Sequence, residues 1–299
     1  MLRIGIDLGG TKIECVGLLE DGSESPRVRV ATPAGNYEGT IKAVVDAVAQ
    51  CRAAAGTGPV RIGLGHPGSR SPRTGLHRNA NSTCLNGRDL VGDCSRGLGQ
   101  EVRASNDANC FALAEALDGA GRGARVVFGV ILGTGVGGGV VINGRALDGR
   151  NFVAGEWGHS PQPGATDEER RERPCYCGQH GCIETFCAGP SVEAENARSS
   201  PRRTVAELGA ASDAAARQCI ERLIDRLSAA LAGVVNLLDP DCIVLGGGVS
   251  NLPALYDGRL SAATAARVFG GEFETPIVKA QHGDSAGVRG AAALWAPGE

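Results

Sequence analysis

The sequence predicts an α/β protein of two lobes with a cleft between them. Two observations carry that expectation. A strand, a glycine turn and a second strand occur twice, in "RIGIDLGGTKIECVGLL" (3–19) and in "VVFGVILGTGVGGGVVINGRA" (126–146). After each copy the apolar spacing alternates between helical and extended periods. The repetition lies in the architecture, with no close repeat of sequence. A chain of 299 residues is also long enough to bury two cores.

The elements follow in order. "VRVATP" (28–33) reads as a third strand. From Tyr37 to Arg52, the residues Ile41, Val44, Val45 and Val48 fall at i, i+3, i+4 and i+7, which is helical spacing. "VRIGLG" (60–65) is a short buried strand. In the second half, Ile220, Leu223, Ile224, Leu227, Leu231, Val234, Val235 and Leu238 line one face of a long helix that Asp239-Pro240 stops. "CIVLGGGVS" (242–250) gives a strand, a glycine turn and a helix start, and "GVRGAAALWA" (287–296) a last helix. The expected division is a small lobe over 1–118 and a larger one over 119–299, with the last helix packing back on the small lobe.

Composition narrows the setting. A net charge of −3 gives no reason to expect nucleic acid or an acidic membrane surface as partner. No run of about 18 apolar residues exists, so a membrane-spanning helix is not expected. The start, "MLRIGIDLGG", goes straight into a strand pattern without a basic and then apolar leader. Eight of the eleven cysteines are scattered through apolar segments, the usage of a reducing compartment, so a cytoplasmic protein is expected.

Glycine is needed where backbone approaches a phosphate closely or takes a positive φ, and successive free N–H groups in such a turn form an anion-binding concavity. "DLGGTK" (7–12) adds the Asp7 carboxylate, the Thr11 hydroxyl and the Lys12 ammonium to the turn at Gly9 and Gly10. Asp7 can hold magnesium through water. "GTGVGGG" (133–139) offers Gly133, Thr134 and Gly135, and Gly246, Gly247 and Gly248 suit a base and ribose lying on backbone. One glycine turn is ordinary hairpin chemistry; three, two of them in corresponding positions, call for another explanation. Neither the phosphate loop GxxxxGK[ST] nor a GxGxxG opening a βαβ unit is present.

Two further stretches carry polar chemistry. In "SNDANC" (105–110) an aspartate stands at a strand–helix junction, where it could be a helix cap or a proton acceptor. "CYCGQHGCIET" (175–185) packs three cysteines into eight residues, one thiol short of a tetrahedral zinc site. His180, inside that loop, is geometrically able to supply the fourth donor. The segment 160–174, "SPQPGATDEERRERP", reads as an exposed charged loop, a lid or a subunit contact.

Together "IGIDLGGTK", "NDANC", "GTGVGGG", "GEWGH" (155–159) and "CYCGQHGCIET" resemble the ROK family of sugar kinases and sugar-responsive repressors, over residues 3 to about 295. The resemblance implies the two-lobed actin/hexokinase-like (ribonuclease H-like) fold. It makes Asp107 the general base and Asn106, Glu156, His159 and Glu184 sugar ligands, with Asn79 and Asn81 as additions. It also makes His159 the fourth ligand of a structural zinc held by Cys175, Cys177 and Cys182. "NANSTCLNG" (79–87), "FGGEFETP" (269–276) and "HGDSAGVRGAA" (282–292) resemble most the bacterial fructokinase/mannokinase branch.

The implied activity is ATP-dependent phosphorylation of the 6-hydroxyl of a hexose, fructose favoured and mannose next, with Mg²⁺ accompanying ATP. Glucokinase and N-acetylhexosamine kinase are the alternatives within the family, and a homodimer is expected. A repressor of the family needs a DNA-binding domain of roughly 80 residues ahead of the first phosphate turn, which here starts at residue 7.

Overall fold

The computed structural model describes residues 1–19, 21–56 and 58–296. The chain begins with β1 (Leu2–Leu8), β2 (Lys12–Leu18) and β3 (Val28–Ala31), followed by α1 (Tyr37–Ala55) and β4 (Val60–His66). Two short strands, β5 (Ser69–Arg70) and β6 (His77–Arg78), precede α2 (Leu90–Leu98), β7 (Val102–Asn106) and α3 (Asp107–Leu117). The hairpin β8 (Val126–Leu132) and β9 (Val136–Ile142) leads to β10 (Arg145–Ala146). Four short helices follow: α4 (Asp167–Arg171), α5 (Glu184–Cys187), α6 (Gly189–Asn196) and α7 (Val205–Ala210). Then come α8 (Ala214–Leu238), β11 (Cys242–Gly246), α9 (Arg259–Ala265), β12 (Ile277–Lys279) and α10 (Ala286–Ala292).

The chain forms two compact units. One holds Met1–Leu117, Gly144–Ala154 and the chain from Asp284 onward; the other holds Asp118–Asn143 and Gly155–Gly283. The two large sheets have the orders β3-β2-β1-β4-β7 and β10-β9-β8-β11-β12. Their plan is the same. An antiparallel hairpin (β1–β2, β8–β9) continues through its first strand into parallel neighbours (β4 and β7, or β11 and β12). The duplication expected from the two glycine hairpins is therefore present in the sheets.

In the first unit, α10 lies against the sheet at unusually close range. A Cβ on Gly5 would stand 1.9 Å from the Val288 carbonyl oxygen, and one on Gly63 1.7 Å from that of Ala291. Gly290 likewise touches the Cys110 carbonyl on α3, its missing Cβ falling 1.7 Å away. The bare strand positions and the small residues of "GVRGAAA" are two halves of one contact. Trp295 closes it: buried, it donates its indole N–H to the Ile62 carbonyl at 2.7 Å and lies under the Arg103 guanidinium.

The second unit is built around α8. Asp213 caps its start by accepting from the Ala215 and Ala216 N–H groups, and Asp239 ends it in a left-handed conformation at φ 45°. Ile220, Leu223, Ile224, Leu227, Leu231 and Val235 are buried against the core, as the spacing predicts. Each such side chain contributes about 1.5–3 kcal/mol relative to exposure.

Two expectations are corrected. The stretch after β11 does not start an α-helix but makes only a 3₁₀ turn, Gly248–Asn251, because the backbone enters it through Gly247 at φ 82°. The segment 160–174 is not a plain exposed loop. It contains α4, opened by a reciprocal capping box between Thr166 and Glu169, and it is anchored by fully buried Gln162, which donates to the Arg226 carbonyl at 3.0 Å.

Candidate active site

The first glycine turn joins β1 to β2. The Gly9 N–H donates to the Lys12 carbonyl at 3.0 Å, and Thr32 Oγ1 braces the Gly9 carbonyl at 2.8 Å. Neither Gly9 nor Gly10 takes a positive φ. What excludes a side chain is proximity: a Cβ on Gly9 would lie 2.9 Å from the Lys12 carbonyl oxygen, and one on Gly10 3.2 Å from Ser82 Oγ. Thr11 and Lys12 are exposed at the turn.

Behind the turn, register puts Glu14 directly opposite Asp7 on the paired strands. Glu14 is only 1% exposed, yet it is a carboxylate. Lys12 Nζ meets its Oε2 at 2.6 Å and Arg29 Nε its Oε1 at 2.5 Å. Burial alone pushes its pKa up, but these cations outweigh burial and hold it below the usual carboxylate range. Among the described residues Asp7 has no such cation in contact. Burial, and then the charge of Glu14, push it up to about 6 against the opposing pull of Lys12.

The base candidate stands where β7 passes into α3. Asp107 is exposed at the first residue of the helix and accepts from the Ala108 N–H at 2.8 Å. Asn106 is fixed from two sides: its Oδ1 accepts from the same Ala108 N–H at 2.8 Å, and its Nδ2 donates to the Gly68 carbonyl at 3.0 Å. Gly68, at φ 76°, also touches Arg78 and Ala80, so it ties the asparagine of β7 to the loop that carries Asn79 and Asn81. Both of those are exposed, Asn79 at φ 60°. Asn86 braces this loop by exchanging two hydrogen bonds with the Ala80 backbone, at 2.9 and 3.0 Å.

Sequence reasoning missed Asp148. It accepts from Ser105 Oγ at 2.5 Å and from Asn109 Nδ2 at 3.2 Å, on either side of the Asn106–Asp107 pair. A lone aspartate in "ALDGRN" carries no signal of that contact.

In the second unit, the Gly133 N–H donates to the Gly135 carbonyl at 2.9 Å, and the Gly133 carbonyl accepts from the Gly189 N–H at 2.8 Å. Thr134 lies between them. Gly247 packs on the same turn, where a Cβ would stand 2.4 Å from the Leu132 carbonyl oxygen. Gly247 is the one residue of the named glycine turns with a positive φ; Gly133, Gly135, Gly246 and Gly248 do without it. The close-approach half of the glycine argument holds for these turns, and the positive-φ half holds for Gly247 alone.

Glu184 opens α5. Its Oε2 accepts from the Val136 N–H at 2.9 Å and fills the space a Gly135 Cβ would take, 2.5 Å away. Its Oε1 lies 3.8 Å from Cys175 Sγ. Half-buried Glu156 has its pKa raised, chiefly by burial; His159 opposes the shift and Glu184 adds to it.

His159, Cys175, Cys177 and Cys182 bring one donor atom each within 4.8 Å of one another. Cys177 and Cys182 sulfurs are 3.6 Å apart, and Cys175 Sγ is 3.5 Å from His159 Nδ1. A tetrahedron with metal–sulfur bonds of about 2.3 Å has edges of about 3.8 Å, close to these two spacings, so the donor set is of the kind that could hold a zinc ion. Exposed His180 is outside the group. The other ring nitrogen of His159, Nε2, meets the hydroxyl of Tyr176 at 3.0 Å. Tyr176 is 72% exposed, and it was not among the residues expected from sequence.

The model of the ROK family matches residues 3–297. An N-acetyl-D-glucosamine kinase of Pectobacterium atrosepticum is 40% identical over 298 residues, 97% of each chain.

The chain is a sugar kinase of the ROK family.

Solved structures of the same family are similar along nearly the whole chain. A ROK hexokinase from Thermus thermophilus superposes with a TM-score of 0.84 at 33% identity, covering 98% of this chain and 97% of that one. A ROK family glucokinase from Streptomyces griseus, in complex with glucose and AMPPNP, gives 0.79 at 28% identity over 98% and 99%. The expectation of the fructokinase/mannokinase branch is not supported: the Pectobacterium relative matches the N-acetylhexosamine alternative instead. Among the described residues no helix is long and apolar enough to cross a membrane.

Proposed function

We propose that this ROK kinase transfers the γ-phosphoryl group of ATP to the 6-hydroxyl of an N-acetylhexosamine, N-acetyl-D-glucosamine first. One observation carries the reading: 40% identity to an N-acetyl-D-glucosamine kinase over 97% of both chains. Glucose is the second reading, favoured by the likeness to the glucose-bound Streptomyces enzyme.

Asp107, exposed at its strand–helix junction, accepts the proton of the attacking hydroxyl. Asn106 is held from two sides and, with Asn79 and Asn81, orients the sugar. Glu156, His159 and Glu184 present further acceptors and donors to the hydroxyls. The two glycine turns supply backbone N–H groups, the Thr11 and Thr134 hydroxyls and the Lys12 ammonium for the phosphates, while Gly246, Gly247 and Gly248 carry the nucleoside. Phosphoryl transfer has a loose transition state, so positioning and charge neutralisation supply most of the rate. Mg²⁺, bound with ATP, would be held through water by Asp7 and would neutralise phosphate charge. Zinc at His159, Cys175, Cys177 and Cys182 would be structural, fixing the loop from which Glu184 projects.

ADP release, coupled to an optical assay over N-acetylglucosamine, N-acetylmannosamine, glucose, mannose and fructose, tests the sugar. The highest kcat/KM belongs to N-acetylglucosamine. A higher value for glucose or fructose overturns that assignment and leaves the kinase chemistry standing.

A further inference from the structure

Four arginines that are scattered in sequence converge on one pocket of the second unit. It encloses about 100 Å³ and is lined by Arg173, Arg198, Arg222 and Arg226 against only two carboxylates, Glu169 and Glu195. Its floor is ordered. Arg173 and Glu195 are each 14% exposed and meet at 2.8 Å, and the guanidinium groups of Arg173 and Arg226 lie over the Phe186 ring, 4.3 and 5.2 Å from its centroid. Its rim is open: the Arg222 and Arg198 side chains are 43% and 56% exposed.

The charge does not close. Glu169 pairs with Arg226. Glu195 faces the guanidinium groups of Arg222 at 2.6 Å and Arg173 at 2.8 Å, while Arg198 at the rim is shared between Glu195 at 3.6 Å and Glu172 at 3.7 Å. Glu169, Glu195 and Glu172 leave one of the four cations in excess, and gathering like charges in a half-buried pocket costs free energy that a further anion would recover. Buried Nε atoms of Arg173 and Arg222 also find no acceptor among the described residues. Planar guanidinium forks match the tetrahedral oxygens of phosphate, and the pocket has room for one such group.

We propose that this pocket is a second anion site that takes a phosphate dianion, free or as the end of a phosphate monoester, between Arg198 and Arg222 at the rim and Arg173 at the floor. None of the residues that line it belongs to the glycine turns or the sugar ligands, so the site stands apart from the one that handles ATP. It is not remote from them in the chain, however. Arg173 also donates to the Thr185 carbonyl at 2.7 Å, next to Glu184, and Cys175 is two residues away. An anion that draws Arg173 outward acts on the loop that carries Glu184, so occupancy is expected to change KM for sugar more than KM for ATP. Binding itself does not depend on which sugar the kinase prefers.

The test is calorimetric titration of the full chain, saturated with the ATP analogue AMPPNP and Mg²⁺ to occupy the catalytic phosphate sites. The probes are inorganic phosphate and N-acetylglucosamine 6-phosphate at constant ionic strength. Binding of at least one probe is expected, with Kd raised about tenfold by Arg222→Gln or by Arg198→Gln, the loss of one charge-assisted hydrogen bond. Glu195→Gln, which removes the competing carboxylate, should tighten binding, a gain that a misfolded variant cannot imitate. A tighter Kd for the sugar phosphate identifies the reaction product as the source; equal values identify free phosphate. Absence of binding by either probe overturns the proposal, and so does binding that both rim variants leave unchanged.

Discussion

The Glu184 carboxylate accepts the backbone N–H of Val136 at 2.9 Å, so the loop of the cysteine cluster and the second glycine turn share one hydrogen bond. A residue expected only to touch sugar also holds in place the backbone of the glycine turn proposed to bind phosphate. Glu184→Ala should therefore raise KM for both ATP and sugar, each by about 10–100-fold, the effect of losing a bond to a charged acceptor. Glu184→Gln keeps an acceptor for Val136 and should spare KM for ATP. Gly135→Ala, whose Cβ would crowd Glu184 Oε2 at 2.5 Å, should resemble the alanine variant. Steady-state kinetics with each substrate varied in turn decides it; an ATP KM that Glu184→Ala leaves untouched removes the link.

Removal of metal is the second test. If zinc is held by His159 and the three cysteines, chelation should lower Tm and raise KM for sugar more than KM for ATP, and metal analysis should return about one zinc per chain. Cys177→Ser should reproduce both defects, while His180→Ala should leave zinc content unchanged, since His180 lies outside the cluster. A protein that holds no zinc and melts at the same temperature with and without chelator has buried thiols and no site. Tyr176→Phe asks a narrower question. Its hydroxyl occupies the His159 Nε2 position expected for a sugar contact, so its loss should alter KM for sugar without altering zinc content.

Buried Glu14 holds Lys12 at 2.6 Å. Glu14→Gln removes the charge that aims the ammonium at the turn and should raise KM for ATP several-fold with little change in KM for sugar. Glu14→Asp, one methylene shorter, should restore part of the loss. Equal changes in both KM values would mean general loosening of the hairpin.

His66 and His77 form an edge-to-face pair at 4.7 Å beneath the loop of Gly68, both beside the Pro67 carbonyl. Burial, and then His77, depress the His66 pKa from 6.5 to about 3. The folded protein thus binds fewer protons than the unfolded chain below pH 6.5, so His66 contributes stability that is complete above 6.5 and is lost progressively towards pH 3. Asp7, raised to about 6, works the other way and loses stability as pH rises from 3.8 through 6. Thermal melts at pH 7 and pH 5 should show a drop that His66→Gln reduces; parallel drops in the two proteins would discount the pair.

Much of the fold was legible because its strongest signals are local. The two glycine hairpins and the face of α8 read directly from spacing, and the three thiols of "CYCGQHGC" mark out a cluster of donor atoms that the structure brings together with His159. What failed depends on distant partners. Gly5 and Gly63 look like ordinary strand glycines until α10 lies across them, its carbonyl oxygens under 2 Å from where their Cβ atoms would be. Asp148 meets Ser105 from 43 residues away. The arginines of the anion pocket read as a scattered surface until the turn after α6 and the face of α8 bring Arg198 and Arg222 together with Arg173. The Thr166…Glu169 capping box could have been found, since its spacing is local; the charge of 160–174 obscured it. Sugar identity was least legible, because hexoses differ at single hydroxyl or acetyl groups that no short motif encodes.

Asp107, proposed to take the proton from the sugar hydroxyl, is the residue on which the proposed chemistry turns. Asp107→Asn keeps the size of the side chain and an oxygen for the Ala108 N–H, but it cannot accept a proton at neutral pH. The decisive measurement is kcat and sugar Kd of this variant with N-acetylglucosamine and ATP. The expected result is a kcat lower by about 10²–10⁴-fold with Kd changed far less. A kcat near that of the unaltered enzyme would contradict it.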